Sequence, residues 1–151
     1  MEAYRIGASA FPLLDGRGAA ASETARWNSW GRSVIYTAEH YSTALLEKAA
    51  QLNGLEFPRT LVYARITIPP DVTMEEVRAE DLRGWDSDEK IASQGFGDRW
   101  YDERRTLILV VPSLATRGLE RNVLINQEHA EFSRVTASAA EPLRCHPKLL
   151  L

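Results

Sequence analysis

"TLVYARITIPP", Thr60–Pro70, decides the class of fold. Val62, Ala64, Ile66 and Ile68 alternate with Tyr63, Arg65 and Thr67, the period of two that marks a strand with one buried face. Pro69 and Pro70 stop it. "RTLILVVP", Arg105–Pro112, is continuously apolar instead, which predicts a central strand buried on both faces. Outward from these two, "YRI" (Tyr4–Ile6), "SVIYTA" (Ser33–Ala38), "NVLIN" (Asn122–Asn126), "RVTAS" (Arg134–Ser138) and "EPLRCHP" read as further short strands. Residues 7–25, with Gly7, Pro12, Gly16 and Gly18, read as a long loop. Helices are fewer. One is capped by Ser42, runs to about Asn53 and stops at Gly54, with Leu45, Leu46, Ala49 and Leu52 as its main apolar surface. "TMEEVRAEDL" reads as a short helix, and "DSDEKIASQGFGDRWYDER" as two short helices broken around Gly95 and Gly97. Strands outnumber helices and do not alternate with them regularly. The expected fold is α+β, a mixed or mainly antiparallel sheet with a few packed helices.

At 151 residues the chain is expected to form a single domain, 1–151. Its 44% hydrophobic and 26% charged residues are those of an ordinary soluble protein. No apolar run is long enough for a membrane span, and the N-terminus has no secretory pattern. The one cysteine, Cys145, cannot form an internal disulfide, which fits a reducing cytoplasm. A net charge of −3 argues against a nucleic-acid binder. Fifteen arginines stand against three lysines, a bias that suits either an anionic ligand or a GC-rich genome. Residues 71–103 hold 11 acids and 4 bases, either a solvated face or a surface for a basic partner.

Several chemistries lack their residues. There is no G-x-G-x-x-G after a strand, no phosphate-cradling G-x-x-x-x-G-K-[ST] and no G-x-S-x-G elbow. His40, His129 and His146 are scattered, so no metal site is expected. Cys145 reads as a small buried hydrophobe despite its neighbour His146. What remains is "ARWNSWGRSVIYTAEHYSTALLE", Ala25–Glu47. Arg26 lies where the loop feeds a strand, Tyr36 near that strand's end, and Glu47 on the following helix. Glu47 shares a stripe with Thr43, Ala44, Ala50 and Gln51, small enough neighbours to leave its carboxylate in a shallow groove. Taken singly, the same three residues also read as a solvated glutamate, a core tyrosine and a surface arginine.

That stretch carries a family likeness. The chain resembles the RES domain, the toxin component of RES–Xre toxin–antitoxin pairs, named for its arginine, glutamate and serine. The likeness runs from "YRI" through Ala25–Glu47, "LVYARITIPPDV", "GDRWYDERRTLILVVPS" and "NVLINQEHAEFSRV" to "PLRCHPKL", nearly the whole chain. Its specific parts are "RWN…GR.VIYTA…ALLE" and "VPS…N.L.N..H..F", in that order. The resemblance implies an ADP-ribosyltransferase-like fold, a split mixed sheet with a cleft for NAD. It implies a cytoplasmic toxin that consumes NAD as substrate, without a metal. Some members degrade NAD to nicotinamide and an ADP-ribose product, and some relatives transfer ADP-ribose to a protein. The implied partners are an Xre-type antitoxin and, for a transferase, a target protein.

The family's functional positions fall on Arg5, Arg26, Tyr36, Glu47 and Ser113. Breaking the nicotinamide–ribose bond creates an oxocarbenium-like transition state. A carboxylate at the ribose stabilises that charge and orients the nucleophile, the part implied for Glu47. Arg26, with Arg5, is implied to hold the pyrophosphate through charge-assisted bonds. Tyr36 is implied to stack on the cationic nicotinamide, and Ser113 to hydrogen-bond the ribose or the amide. Asn122 and Asn126 read as structural turns or as site-wall residues, the structural reading being favoured, and Arg32 as structural or solvated. One departure is that the aromatic beside Arg5 precedes it, as Tyr4, where some relatives carry it on the other side.

Overall fold

A computed structural model describes residues 1–54 and 56–151. Eight strands form one sheet: β1 (Glu2–Ala8), β2 (Val34–Ala38), β3 (Leu61–Thr67), β4 (Met74–Glu76), β5 (Ile108–Pro112), β6 (Arg121–Asn126), β7 (Thr136–Ala137) and β8 (Glu141–Pro142). Their order is β4-β5-β6-β2-β1-β3-β7, with β8 also on β3. Every pairing is antiparallel except β4 with β5. Three helices pack around it: α1 (Arg17–Ala20), α2 (Tyr41–Gln51) and α3 (Ile91–Asp102). The fold is α+β with a mixed, mainly antiparallel sheet, as the strand periodicities predict.

The split in the sheet lies between β1 and β2. β1 pairs with β3 along its whole length, from Glu2–Thr67 to Ala8–Leu61, and β2 pairs with β6 from Val34–Asn126 to Ala38–Asn122. Between β1 and β2, Tyr4 with Ala38 is the single registered pair among the described residues. Continued register would put Arg5 beside Thr37 and Ile6 beside Tyr36. The strands part there instead, and these four residues line a cleft.

The period-two strand buries Ala64 and Ile66 and exposes Arg65 and Thr67, but Tyr63, expected on the open face, is buried in a second core cluster with Ile6, Ala38 and Leu143. β5 is buried on both sides, with Ile108 and Val110 in one cluster and Leu109 and Val111 in another. Other expectations need correction. "TMEEVRAEDL" forms β4 and then a single 3-10 turn, Ala79–Asp81, and no α-helix. The open backbone edge of β5 recruits it, and an edge strand tolerates charged residues such as Glu75 and Glu76. The loop 7–25 contains the short α1.

α2 begins after an extended His40 with no side-chain cap, and Ser42 lies inside its first turn. Leu46 and Leu52 are exposed, and Thr43, Ala44 and Ala49 form the buried face. Small residues let the helix sit close on β1 and β2, which puts the Glu47 stripe against the sheet.

The stretch around Gly95 and Gly97 is one helix. Gly97 does not break α3. A Cβ at that position would lie 1.7 Å from the carbonyl oxygen of Trp27. The glycine is what lets the 25–32 loop dock onto α3.

Candidate functional site

The cleft has a volume of about 650 Å³, within the range of small-molecule sites. β1 contributes Tyr4, Arg5 and Ile6, the loop before β2 contributes Arg26 and Trp27, and β2 contributes Tyr36 and Thr37. α2 adds Glu47, Lys48 and Gln51, and Lys90, Pro112, Leu114 and Asn122 close it. A second depression of about 460 Å³ shares Pro112 with the cleft. Of its acids, Glu39, Glu76 and Glu80 are already paired with Arg121 and Arg78, and Glu120 accepts from Thr43 Oγ1.

Glu47 is the best-held group in the cleft. Its Oε1 accepts from Ser113 Oγ at 2.6 Å, from Asn122 Nδ2 at 2.9 Å and from the Ala115 N–H at 3.4 Å. Its Oε2 accepts nothing among the described residues. Donors that converge on one oxygen fix the plane of the carboxylate and leave the other oxygen for a ligand. Ser113 is fully buried and does not line the cleft. Its hydroxyl proton goes to Glu47. Asn122, read from sequence as structural, is a cleft residue. Facing a carboxylate, its amide must present N–H₂, and this leaves its Oδ1 buried with no partner among the described residues.

Tyr36 and the "RWN" motif are one unit. The Tyr36 hydroxyl donates to Asn28 Oδ1 at 2.6 Å and accepts the Trp27 N–H at 3.1 Å. Burial pushes its phenol pKa well above the ordinary value, with the Trp27 N–H pulling weakly the other way. The hydroxyl is therefore a neutral anchor, and the ring is what the cleft sees. Fully buried Asn28 donates in turn to the Ala19 and Ser29 carbonyls, each at 3.1 Å. α3 holds the same loop from behind. Asp98 accepts from the Ser29 N–H and hydroxyl, Gln94 donates to the Ala25 carbonyl, and Arg32 grips Asp102 with both Nε and Nη2. Arg32 is structural, as expected. So is Asn126, which donates to the Tyr101 carbonyl from full burial.

Four cations line the cleft: Arg5, Arg26, Lys48 and Lys90. None stands in an ion pair among the described residues. Glu47 is the one carboxylate among the lining residues. In a protein of net charge −3, such a local excess of positive charge suits an anionic ligand. Burial lowers the Arg5 pKa, with Asp15 opposing it. Burial also lowers the Lys48 pKa, and Arg5 adds to that. Arg26 Nη1 donates to the carbonyls of Trp85 at 3.0 Å and Ser87 at 2.8 Å. The sequence singles out Arg5 and Arg26 but not Lys48 or Lys90, and favours a structural reading of Asn122. The available signal for the lysines was their rarity: two of the chain's three line this cleft.

The Prs ADP-ribosylating toxin of Sphingobium sp. (strain YBL2) is 30% identical over 129 residues, covering 83% of this chain and 80% of that protein. Among solved structures, a chain of the M. tuberculosis MbcT–MbcA toxin–antitoxin complex superposes with a TM-score of 0.72. That match covers 94% of this chain and 83% of the other at 16% identity, a likeness of fold. The RES domain model matches residues 2–146, nearly the entire sequence and all of the cleft. The chain belongs to the RES domain family.

Proposed function

We propose that this RES domain is the toxin of a bacterial toxin–antitoxin pair that binds NAD in the cleft between β1 and β2. It breaks the nicotinamide–ribose bond and passes ADP-ribose to an acceptor. One observation carries the reading: a carboxylate held by Ser113, Asn122 and Ala115 through a single oxygen, in a cleft whose other charges are all positive. The relative named as an ADP-ribosylating toxin supports it.

NAD is the substrate in this scheme. Its diphosphate meets the cleft cations, and the ring of Tyr36 lies against the nicotinamide, which is cationic while bound. The C1′–N bond breaks, and its electron pair leaves with nicotinamide, which becomes neutral. The oxocarbenium-like ribose that develops is stabilised by Glu47 through Oε2. The acceptor's oxygen or nitrogen then bonds to C1′, and its proton passes to Glu47 or to solvent. Ser113 keeps Glu47 in place and does not itself touch the sugar. The acceptor is a protein side chain, which makes the enzyme a mono-ADP-ribosyltransferase, or water or phosphate, which makes it an NAD-degrading enzyme. The toxin acts in the cytoplasm, and an Xre-type antitoxin is its partner.

Incubating the purified protein with labelled NAD, with and without cell lysate, tests this. Nicotinamide release without lysate supports NAD degradation, and a phosphate requirement identifies the phosphorolytic form. Label on a lysate protein supports transfer. Neither signal, from folded protein free of antitoxin, overturns the reading.

A further inference from the structure

Arg26 and the backbone of Lys90 meet on one wall of the cleft. Arg26 gives its Nη1 to the Ser87 carbonyl, and the Lys90 backbone N–H donates to that same carbonyl at 3.1 Å. Together with the bond to the Trp85 carbonyl, these tie the Arg26 guanidinium to the 85–90 segment. Arg5 and Lys48 stand apart from it, on β1 and α2. Arg5 reaches the Asp15 carbonyl at 3.1 Å, while the Asp15 carboxylate is taken by Arg17. Lys48 Nζ reaches the neutral Gln51 Oε1 at 3.0 Å. Two half-buried cations thus share one side of the cleft with no carboxylate in ion-pair contact among the described residues, Asp15 acting on Arg5 only at longer range.

Resting on the NAD reading of the cleft, we propose that Lys48 together with Arg5 holds the dinucleotide's diphosphate, and that Arg26 is a positioning residue that pins the 85–90 wall. Unpaired and partly desolvated like charges are costly until an anion arrives. A diphosphate brings two negative charges to that place. Burial lowers the pKa of both residues, and Arg5 lowers that of Lys48 further. The covalent structure of NAD agrees with the order of the chain. The nicotinamide ribose joins the diphosphate through its C5′ oxygen, and Lys48 follows Glu47 on the same helix. Arg26, with Nη1 given to two carbonyls, has less of its fork to offer phosphate.

Calorimetric titration of wild type, Lys48→Met, Lys48→Arg and Arg26→Ala, each carrying Glu47→Gln so that NAD is bound but not consumed, with NAD and with nicotinamide riboside, which lacks phosphate, tests the assignment. Lys48→Met should weaken NAD about tenfold or more and leave the riboside unchanged, while Lys48→Arg stays within about threefold of wild type for both. Without ligand, Lys48→Met should melt no lower than wild type, because it removes one of two repelling charges. Arg26→Ala should weaken NAD and the riboside alike. NAD affinity of Lys48→Met within about twofold of wild type, or an equal loss for the riboside, overturns the assignment. If wild type binds no NAD, the reading of the cleft falls first, and the assignment falls with it.

Discussion

At the residue scale, the cleft is organised around one carboxylate oxygen. Glu47→Gln keeps the size of the side chain and an acceptor for Ser113 and Asn122, but loses the charge. Turnover of NAD should fall by about 10² or more, near 2.7 kcal/mol of transition-state stabilisation, with NAD binding nearly intact. Unchanged turnover removes Glu47 from catalysis. Asn122 tests the arrangement from the other side. Asn122→Ala frees Glu47 from one of its three donors and deletes the buried orphan Oδ1. It should lower kcat by roughly 10-fold, about 1.4 kcal/mol, while KM changes little. A loss confined to KM would make Asn122 a binding residue instead.

At the scale of elements, α3 is a clamp for the loop that carries Arg26, Trp27 and Asn28. Gly97 is its point of closest approach. Alanine is the better helix former by about 1 kcal/mol, so an exposed helix would gain from Gly97→Ala. Here the added methyl group meets a backbone carbonyl, which cannot swing aside as a side chain can. The variant should lose about 2–3 kcal/mol of stability, read from denaturant midpoints. If it folds, the Tyr36 hydroxyl should lose its place on Trp27 and Asn28. A gain in stability would show that the loop does not depend on this contact. The acidic 71–103 stretch looks different at this scale too. Asp98 and Asp102 hold Arg32, Glu75 holds Arg105, Glu76 holds Arg121, and Asp71 holds Arg134. Much of its charge ties the fold together.

At the scale of the whole molecule, those ties give stability a pH dependence. Arg32 draws the Asp102 pKa below its ordinary value, Arg134 does so for Asp71, and Arg17 does so for Asp15. A depressed folded-state pKa contributes stability that is present above the unfolded value, about 3.9, and lost as pH falls through the folded value. Stability should therefore drop on acidification below about pH 4. The drop should be shallower in Asp102→Asn, which has already lost the link between Arg32 and α3. The effect is modest, because all three aspartates pair near the surface where water screens them. Parallel pH profiles of wild type and variant, followed by urea denaturation, would refute the link.

The sequence by itself determined the local periodicities and the side-chain types. Tyr63, Arg65 and Thr67 alternate with Val62, Ala64 and Ile66 whatever surrounds them, so β3 and the buried β5 were legible, and with them the α+β class. The likeness between Ala25 and Glu47 identified the family. Tertiary structure alone decided what depends on neighbours distant in the chain. The edge of β5 turned Met74–Glu76 into a strand, and the Trp27 carbonyl gave Gly97 its reason. The divergence of β1 from β2 after Tyr4 and Ala38 opened the cleft. Ser113 and Asn122 lie 66 and 75 residues from Glu47, yet both donate to its Oε1. No spacing along a chain records such a meeting, because it is fixed by strand register and by small residues that let α2 rest on the sheet.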